Sequence, residues 1–210
     1  MSPKTAIKPR RTQERTEATR NKLLDAASLL FTEQGFDGVS IRDLENEADV
    51  QRGLLSYHFQ DKESLWKAMA DRTFALMNDA LAPRLEVLGD LGPRERVRAI
   101  IRFYVRFSSR HPELPRLLSQ EARHHSWRLS YLVDEHISAS TNSLRESVTD
   151  ALGLSEAKFM HWYYFMVGAS SLIFSHAPEC ELLFDADPHE DAIVEAHAEM
   201  MVNTLLGMAE

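Results

Sequence analysis

The stretch "ADVQRGLLSYHF", residues 48–59, decides how this chain is read. It crowds an Arg, a Gly, two Leu, a Tyr, a His and a Phe into one segment, directly after a helix-like run with four carboxylates, "VSIRDLENEADV" (39–50). In that run Ser40 and Asp43 have the spacing of a capping box, with Asp in place of the usual Glu or Gln, so a helix of about two turns is predicted from Ile41. A second short helix is expected over Gln51 to Tyr57. Two short helices joined by a tight turn are the minimum for a helix-turn-helix, in which the first braces and the second enters the major groove. Leu44, Ala48, Val50, Leu55 and Phe59 then share one buried face. Gln51, Arg52, Leu54, Ser56 and Tyr57 point outward as candidate readers of base edges and phosphates. Gly53, placed inside the second helix at a cost of about 1 kcal/mol, is read as permitting the close approach of a backbone or a neighbouring helix.

The surroundings are helical as well. Apolar residues recur at helical spacing through nearly every segment, Gly and Pro punctuate them, and no strand pattern competes. A first helix is expected from about Thr12 to Gln34, with Leu23, Ala27, Leu30 and Phe31 on one face and Gly35 as a left-handed C-terminal cap. Asp61 caps a fourth helix that starts at Lys62 and is ended or kinked by Pro83. Further helices are expected over Pro93 to Arg110, Glu113 to His125, Trp127 to Leu152 (closed by Gly153), Ser155 to Ser175 and Pro188 to Met208, with an acidic loop from Ala177 to Asp187. The fold class is therefore all-α with about nine helices. The domains expected are a basic arm (1–17), a three-helix helix-turn-helix domain (18–65) and a larger helical domain (66–210).

Charge is distributed unevenly. The 210 residues carry a formal charge of −8 and have a pI near 5.6, which by itself argues against nucleic acid. Residues 1–22, however, hold seven Lys or Arg against two Glu, while residues 68–210 hold 13 basic and 21 acidic side chains. A cationic arm on an anionic body suits DNA, although a solvated basic tail has the same composition. The one cysteine, Cys180, has no intrachain partner, and the opening residues are polar and basic rather than an apolar leader, so a cytoplasmic location is expected. The longest apolar run, Phe159 to Phe174, is shorter than the roughly 20 residues a bilayer needs and contains a His and two Ser, so it reads as a buried helix and no membrane partner is expected.

With these elements placed, residues 23–69, "LLDAASLLFTEQGFDGVSIRDLENEADVQRGLLSYHFQDKESLWKAM", resemble the DNA-binding domain of the tetracycline-repressor (TetR) family. The resemblance rests on an Ala-Ala first helix, the Gly35-Phe36 pair, a Ser before Ile-Arg-Asp-Leu, the Tyr-His-Phe end of the reading helix and the Lys-Glu-x-Leu opening of the next. It covers about a third of the chain. It implies a homodimer whose two reading helices enter successive major grooves of a near-palindromic operator, about 34 Å apart. It also implies release of double-stranded DNA when a small molecule enters the C-terminal domain. Carried over by position, Ser40 and Lys62 sit at helix N-termini beside phosphates, Tyr57 and His58 lie near the backbone or groove, and Gln51 and Arg52 open the reading helix. Arg10, Arg11, Arg15 and Arg20 add phosphate or minor-groove contacts. Four positions depart from the family pattern. Asp49 stands at the turn Gly, Glu45 replaces an Ala where two helices approach, and Leu54 and Ser56 replace a Thr and a Tyr. Leu54 is then free to touch a thymine methyl.

Beyond residue 92, the aromatic residues at helical spacing suggest a cavity for a partly apolar effector, with Phe103, Phe107, Arg123, His124, Trp127, Tyr131 and Trp162 as candidate linings, although such a stripe is more often plain core. The last two helices are apolar enough to need a partner surface, and Gly168, Ser171 and Met200 are placed at a subunit interface. Glu121 and His124 have the i, i+3 spacing of di-iron bundles, but no second pair exists, so no metal or cofactor is expected. The phosphate-binding glycine loop, HExxH and GxSxG are absent, and no enzyme is expected. The function expected is a transcriptional repressor, with a ligand-independent helix-turn-helix activator or architectural DNA binder as the alternative.

Overall fold

The computed structural model describes residues 8–87, 89 and 91–208, with side chains from residue 13 onward apart from that of residue 87. These residues form α1 (Lys8–Gly38), α2 (Ile41–Glu47), α3 (Leu54–Phe59), α4 (Lys62–Val87), α5 (Pro93–Arg110), α6 (Glu113–Glu121), α7 (Trp127–Leu132), α8 (Ser138–Leu152), α9 (Glu156–Ser175), α10 (Ala177–Phe184) and α11 (Asp191–Gly207). The fold is all-α, as the periodicity predicted, with no strand among the described residues. The chain divides into two compact units, the first ending at Arg72 and the second starting at Thr73, within α4.

In the first unit α1, α2 and α3 bury Leu23, Ala27, Phe31, Leu44, Leu55 and Phe59 together with Leu65, Trp66 and Met69 from the start of α4. At about 1.5–3 kcal/mol for each large apolar side chain, this cluster is the main stabilising term of the unit. Local chemistry sets the helix ends. Gly35 breaks the helical path of α1 with φ 75°, a value that glycine adopts without steric penalty. The Ser40–Asp43 capping box forms at the start of α2, where Asp43 N–H donates to Ser40 Oγ (3.2 Å) and Ser40 N–H to Asp43 Oδ2 (2.9 Å). The Ser40 hydroxyl, which also donates to Oδ2, and then the Ser40 N–H hold the Asp43 carboxyl below its usual range. Asp61 caps α4 by accepting from Ser64 N–H at 2.7 Å.

The second unit is organised around α5, which packs on α8, α9 and α11. Val97, Ile101 and Val105, four residues apart on one face of α5, are fully buried against Val148, Phe159, Trp162, Met166, Ala198, Val202 and Leu205. The Trp162 indole N–H, which would be costly to bury unpaired, donates to the carbonyl of Leu205 (3.1 Å) and ties α9 to α11.

Several expected boundaries are corrected. α3 begins at Leu54 rather than Gln51, because Gly53 is its N-cap at φ 89°; a Cβ added there would meet nothing within 4 Å. Gly53 therefore serves backbone conformation, not close approach. Pro83 does not end α4, which continues to Val87. Pro83 and Asp79, whose carbonyl loses its partner, are both exposed, so water can satisfy that group. α6 stops at Glu121. The long helix expected from Trp127 is interrupted by a π-helical turn at Val133–Ile137. That turn holds one extra residue and rotates the following face by about 100°. The expected acidic loop after Ala177 is helical: Pro178 lies in the first turn, where its missing N–H costs nothing, and Glu179 complements the dipole there.

The ring of His197 lies half-buried between α11 and α9, with Nε2 at 2.9 Å from the carbonyl of Ala169 and its ring edge-on to Phe174. Desolvation holds its pKa below the usual imidazole value. The unfolded chain then binds a proton more readily than the native state near the ordinary histidine pKa, so stability rises with pH and is lost as pH falls through about 6.5. Thermal melts are expected to show a drop in Tm between pH 7.5 and 5.5 that shrinks in His197→Gln, whose amide can still donate to Ala169.

Candidate nucleic-acid interface and cavity

The reading helix is held by a buried carboxylate. Glu45 projects from α2 with 4% of its surface exposed, and its Oε1 accepts from Gly53 N–H (2.7 Å) and Leu55 N–H (3.1 Å). Gly53 has no side chain to cap α3, and Glu45 supplies the missing acceptor from eight residues upstream. The residue that departs from the family's Ala where two helices approach is thus the cap of α3. Asp49 turns the chain between α2 and α3 at φ 49°, in the left-handed region that Asp tolerates. Lys62 Nζ donates to the carbonyls of Phe36 (2.8 Å) and Val39 (2.9 Å) and lies 4.1 Å from the centre of the Phe36 ring. Two of the three ammonium N–H groups are thus engaged at the end of α1.

This framework leaves Gln51, Arg52, Ser56 and Tyr57 exposed, Tyr57 at 75%, with Leu54 and His58 half-buried beside them. Tyr57 and His58 meet edge to face at 5.1 Å. Partial burial, with Arg20 adding to it, holds the His58 pKa below its usual value, so His58 is neutral near pH 7. Arg15 is exposed on α1, while the Arg20 guanidinium lies 4.4 Å from the centre of the Phe59 ring. Ser40 donates its hydroxyl hydrogen to Asp43 Oδ2 (2.6 Å). The side chains of Arg10 and Arg11 lie outside the described residues.

The second unit contains a half-open cavity of about 380 Å³, within the size range of small-molecule sites. α5 supplies Arg96, Ile100, Phe103 and Tyr104, a stripe adjacent to its core face. α4 supplies Phe74, Met77 and Leu81, α8 a row of hydroxyls including Ser140 and Thr141, and α9 Tyr163 and Met166. Phe74 stacks on His136 of the π turn at 4.5 Å with nearly parallel rings. Burial pushes the Tyr104 and Tyr163 phenols above their usual pKa, so both are neutral donors. Of the linings expected from sequence, Phe103 is in place. Phe107 lines an adjoining groove with Arg84, Arg102, Arg106 and Arg110. Trp162 is core, and Arg123, His124 and Trp127 are exposed on the α6–α7 connection; none of these, nor Tyr131, is among the cavity's lining residues. The Glu121 carboxylate pairs with Arg128 at 2.8 Å, and no cluster of metal-ligating side chains occurs among the described residues. Sequence reasoning missed Arg96 and the α4 and α8 walls; the i, i+4, i+8 spacing of Arg96, Ile100 and Tyr104 was the available signal.

On α9 the exposed residues Met160, Tyr164, Phe165, Gly168 and Leu172 form an apolar face, and Met200 is exposed on α11. Ser171 turns the other way. It is buried, with its hydroxyl donating to the Val167 carbonyl (2.7 Å), and so is no part of that face. No described helix is long and apolar enough to cross a membrane.

Residues 23–69 match the family described as bacterial regulatory proteins, tetR family, and residues 93–205 match the tetracyclin repressor-like C-terminal domain. The chain belongs to the tetR family of bacterial regulatory proteins. Among curated relatives it is 29% identical to the HTH-type transcriptional repressor NicS of Pseudomonas putida over 53% of this chain and 51% of NicS. It is 35% identical to the repressor AcnR of Corynebacterium diphtheriae over 34% of this chain and 39% of AcnR. The matched stretch thus spans about half the length of these relatives or less. Over nearly full lengths the fold is similar to that of AibR, crystallised with isovaleryl coenzyme A and operator DNA (TM-score 0.69, 20% identity, 90% of this chain and 98% of AibR). It is likewise similar to a mutant of HlyIIR (TM-score 0.67, 20% identity, 91% of this chain and 98% of that one).

Removing the Glu45 cap leaves two amides at α3 short of a partner. Glu45→Ala is expected to cost about 1–3 kcal/mol, seen as a lower melting temperature and faster amide exchange at Gly53 and Leu55, while Glu45→Gln, which keeps an acceptor, loses less. Lys62→Met is expected to lower the melting temperature through the freed carbonyls of Phe36 and Val39, whereas a purely phosphate-binding Lys62 predicts unchanged stability.

Proposed function

We propose that this chain is a homodimeric transcriptional repressor that binds a near-palindromic DNA operator and releases it when a small molecule occupies the cavity of the second unit. The observation that carries the reading is the exposure of Gln51, Arg52, Ser56 and Tyr57 around α3 while Leu55 and Phe59 anchor the helix from behind. Membership of the tetR family, the relatives named as repressors and the solved AibR complex support it. The apolar face of α9, with Met200 on α11, supports self-association, because contiguous exposed apolar surface of this kind marks protein interfaces. A coupling of about 1–3 kcal/mol between the cavity and the reading heads weakens DNA binding roughly 5- to 150-fold, which suffices for a switch.

Binding to DNA from upstream of the protein's own gene, measured by gel shift at two salt concentrations, tests the reading, since phosphate contacts impose a steep salt slope. Arg52→Ala is expected to weaken operator binding by about 1–3 kcal/mol with the melting temperature unchanged. Binding by the variant as tight as by the parent removes Arg52 from the contact surface, and a monomer in sedimentation at working concentration removes the two-fold reading.

A further inference from the structure

We propose that the cavity of the second unit takes an amphipathic carboxylate, with its apolar body against α4, α5 and α9 and its anionic head at Arg96. This inference rests on the reading of the cavity as an effector site and names the chemistry of the effector. Among the described lining residues Arg96 is the only charged one. Its Nε is buried without a hydrogen-bond partner, and its Nη2 reaches the carbonyls of Gly89 and Leu91 only at 3.4 Å each, the long limit for such bonds. A guanidinium held with its fork incompletely used is matched by a carboxylate, which can accept two parallel bonds.

The remaining polar groups do not compete for that head. Ser140 donates back to the carbonyls of His136 and Ile137, and Ser147 donates to that of Ser143. The Tyr104 and Tyr163 phenols, held neutral by burial, carry no charge to pair with an anion. Positive charge is therefore concentrated at one end of an otherwise uncharged and largely apolar chamber. Arg96 and Tyr104 are eight residues apart on one helix, so head and far wall are about 12 Å apart along α5. At about 30 Å³ per water-sized group, the 380 Å³ volume holds about a dozen non-hydrogen atoms. These dimensions accommodate a medium-chain monocarboxylate.

The test uses sodium decanoate and 1-decanol, which share the apolar body and differ in charge, titrated calorimetrically into the full chain without DNA. Decanoate is expected to bind about tenfold or more tightly than decanol. In Arg96→Gln that preference is expected to vanish through loss of decanoate affinity, with decanol little changed, while Arg96→Lys retains part of it. Equal affinity for the two ligands, no binding of decanoate, or a preference undisturbed in Arg96→Gln overturns the proposal. Should Arg96→Gln fail to fold, the comparison of acid with alcohol on the parent protein and on Arg96→Lys decides. A gel shift separates the two readings. Decanoate that binds with this preference yet leaves operator affinity unchanged upholds the ligand class and counts against the switch. DNA released by a different molecule, with decanoate unbound, does the reverse.

Discussion

A single buried carboxylate sets the geometry of the reading helix. α3 is six residues long, too short to be stable alone, and it starts on a glycine that offers no capping side chain. Glu45 closes that gap from α2 by accepting two backbone hydrogen bonds, one on each side of Leu54. Burying an anion is costly unless its oxygens are satisfied, so the same two bonds that fix α3 also make Glu45 tolerable in the interior. Lys62 performs a related task at the end of α1, where it donates to the carbonyls of Phe36 and Val39. A cation and an anion therefore each serve backbone groups rather than each other.

Exposure of the reading face follows from this arrangement. Leu55 and Phe59 take the inner side of α3, and the short turn on Asp49 and Gly53 leaves Gln51 and Arg52 outside the helix proper, where no helical packing restrains them. The neutral state of His58 near pH 7 means that the cationic character here comes from arginine, which stays charged at any physiological pH.

In the second unit one helix supplies two different surfaces. The stripe Val97, Ile101 and Val105 on α5 closes the core, and the neighbouring stripe Arg96, Ile100 and Tyr104 opens on the cavity. A ligand in that cavity touches the residues that flank the core, and it touches α4, the helix whose first turns belong to the other unit. The π turn at Val133–Ile137 interrupts the regular ladder at the same wall, where Phe74 stacks directly on its His136.

The sequence by itself determined the helices, the capping box at Ser40 and Asp43, the cap at Asp61, the buried faces of α1 and α3 and the family, because each depends on neighbours within a few residues or on a contiguous motif. It left unseen the cap that Glu45 provides, the backbone role of Gly53 and the carbonyl partners of Lys62, since the partners of Glu45 and Lys62 lie 8 to 26 residues away and a backbone dihedral leaves no mark in residue identity. The cavity walls were hidden for a further reason. An aromatic on an apolar stripe becomes lining or core according to the rotation of its helix against the others, and the π turn alters that rotation for α8. Phe103 and Trp162 have the same chemistry in the sequence; only packing put the first against open space and the second against Leu205.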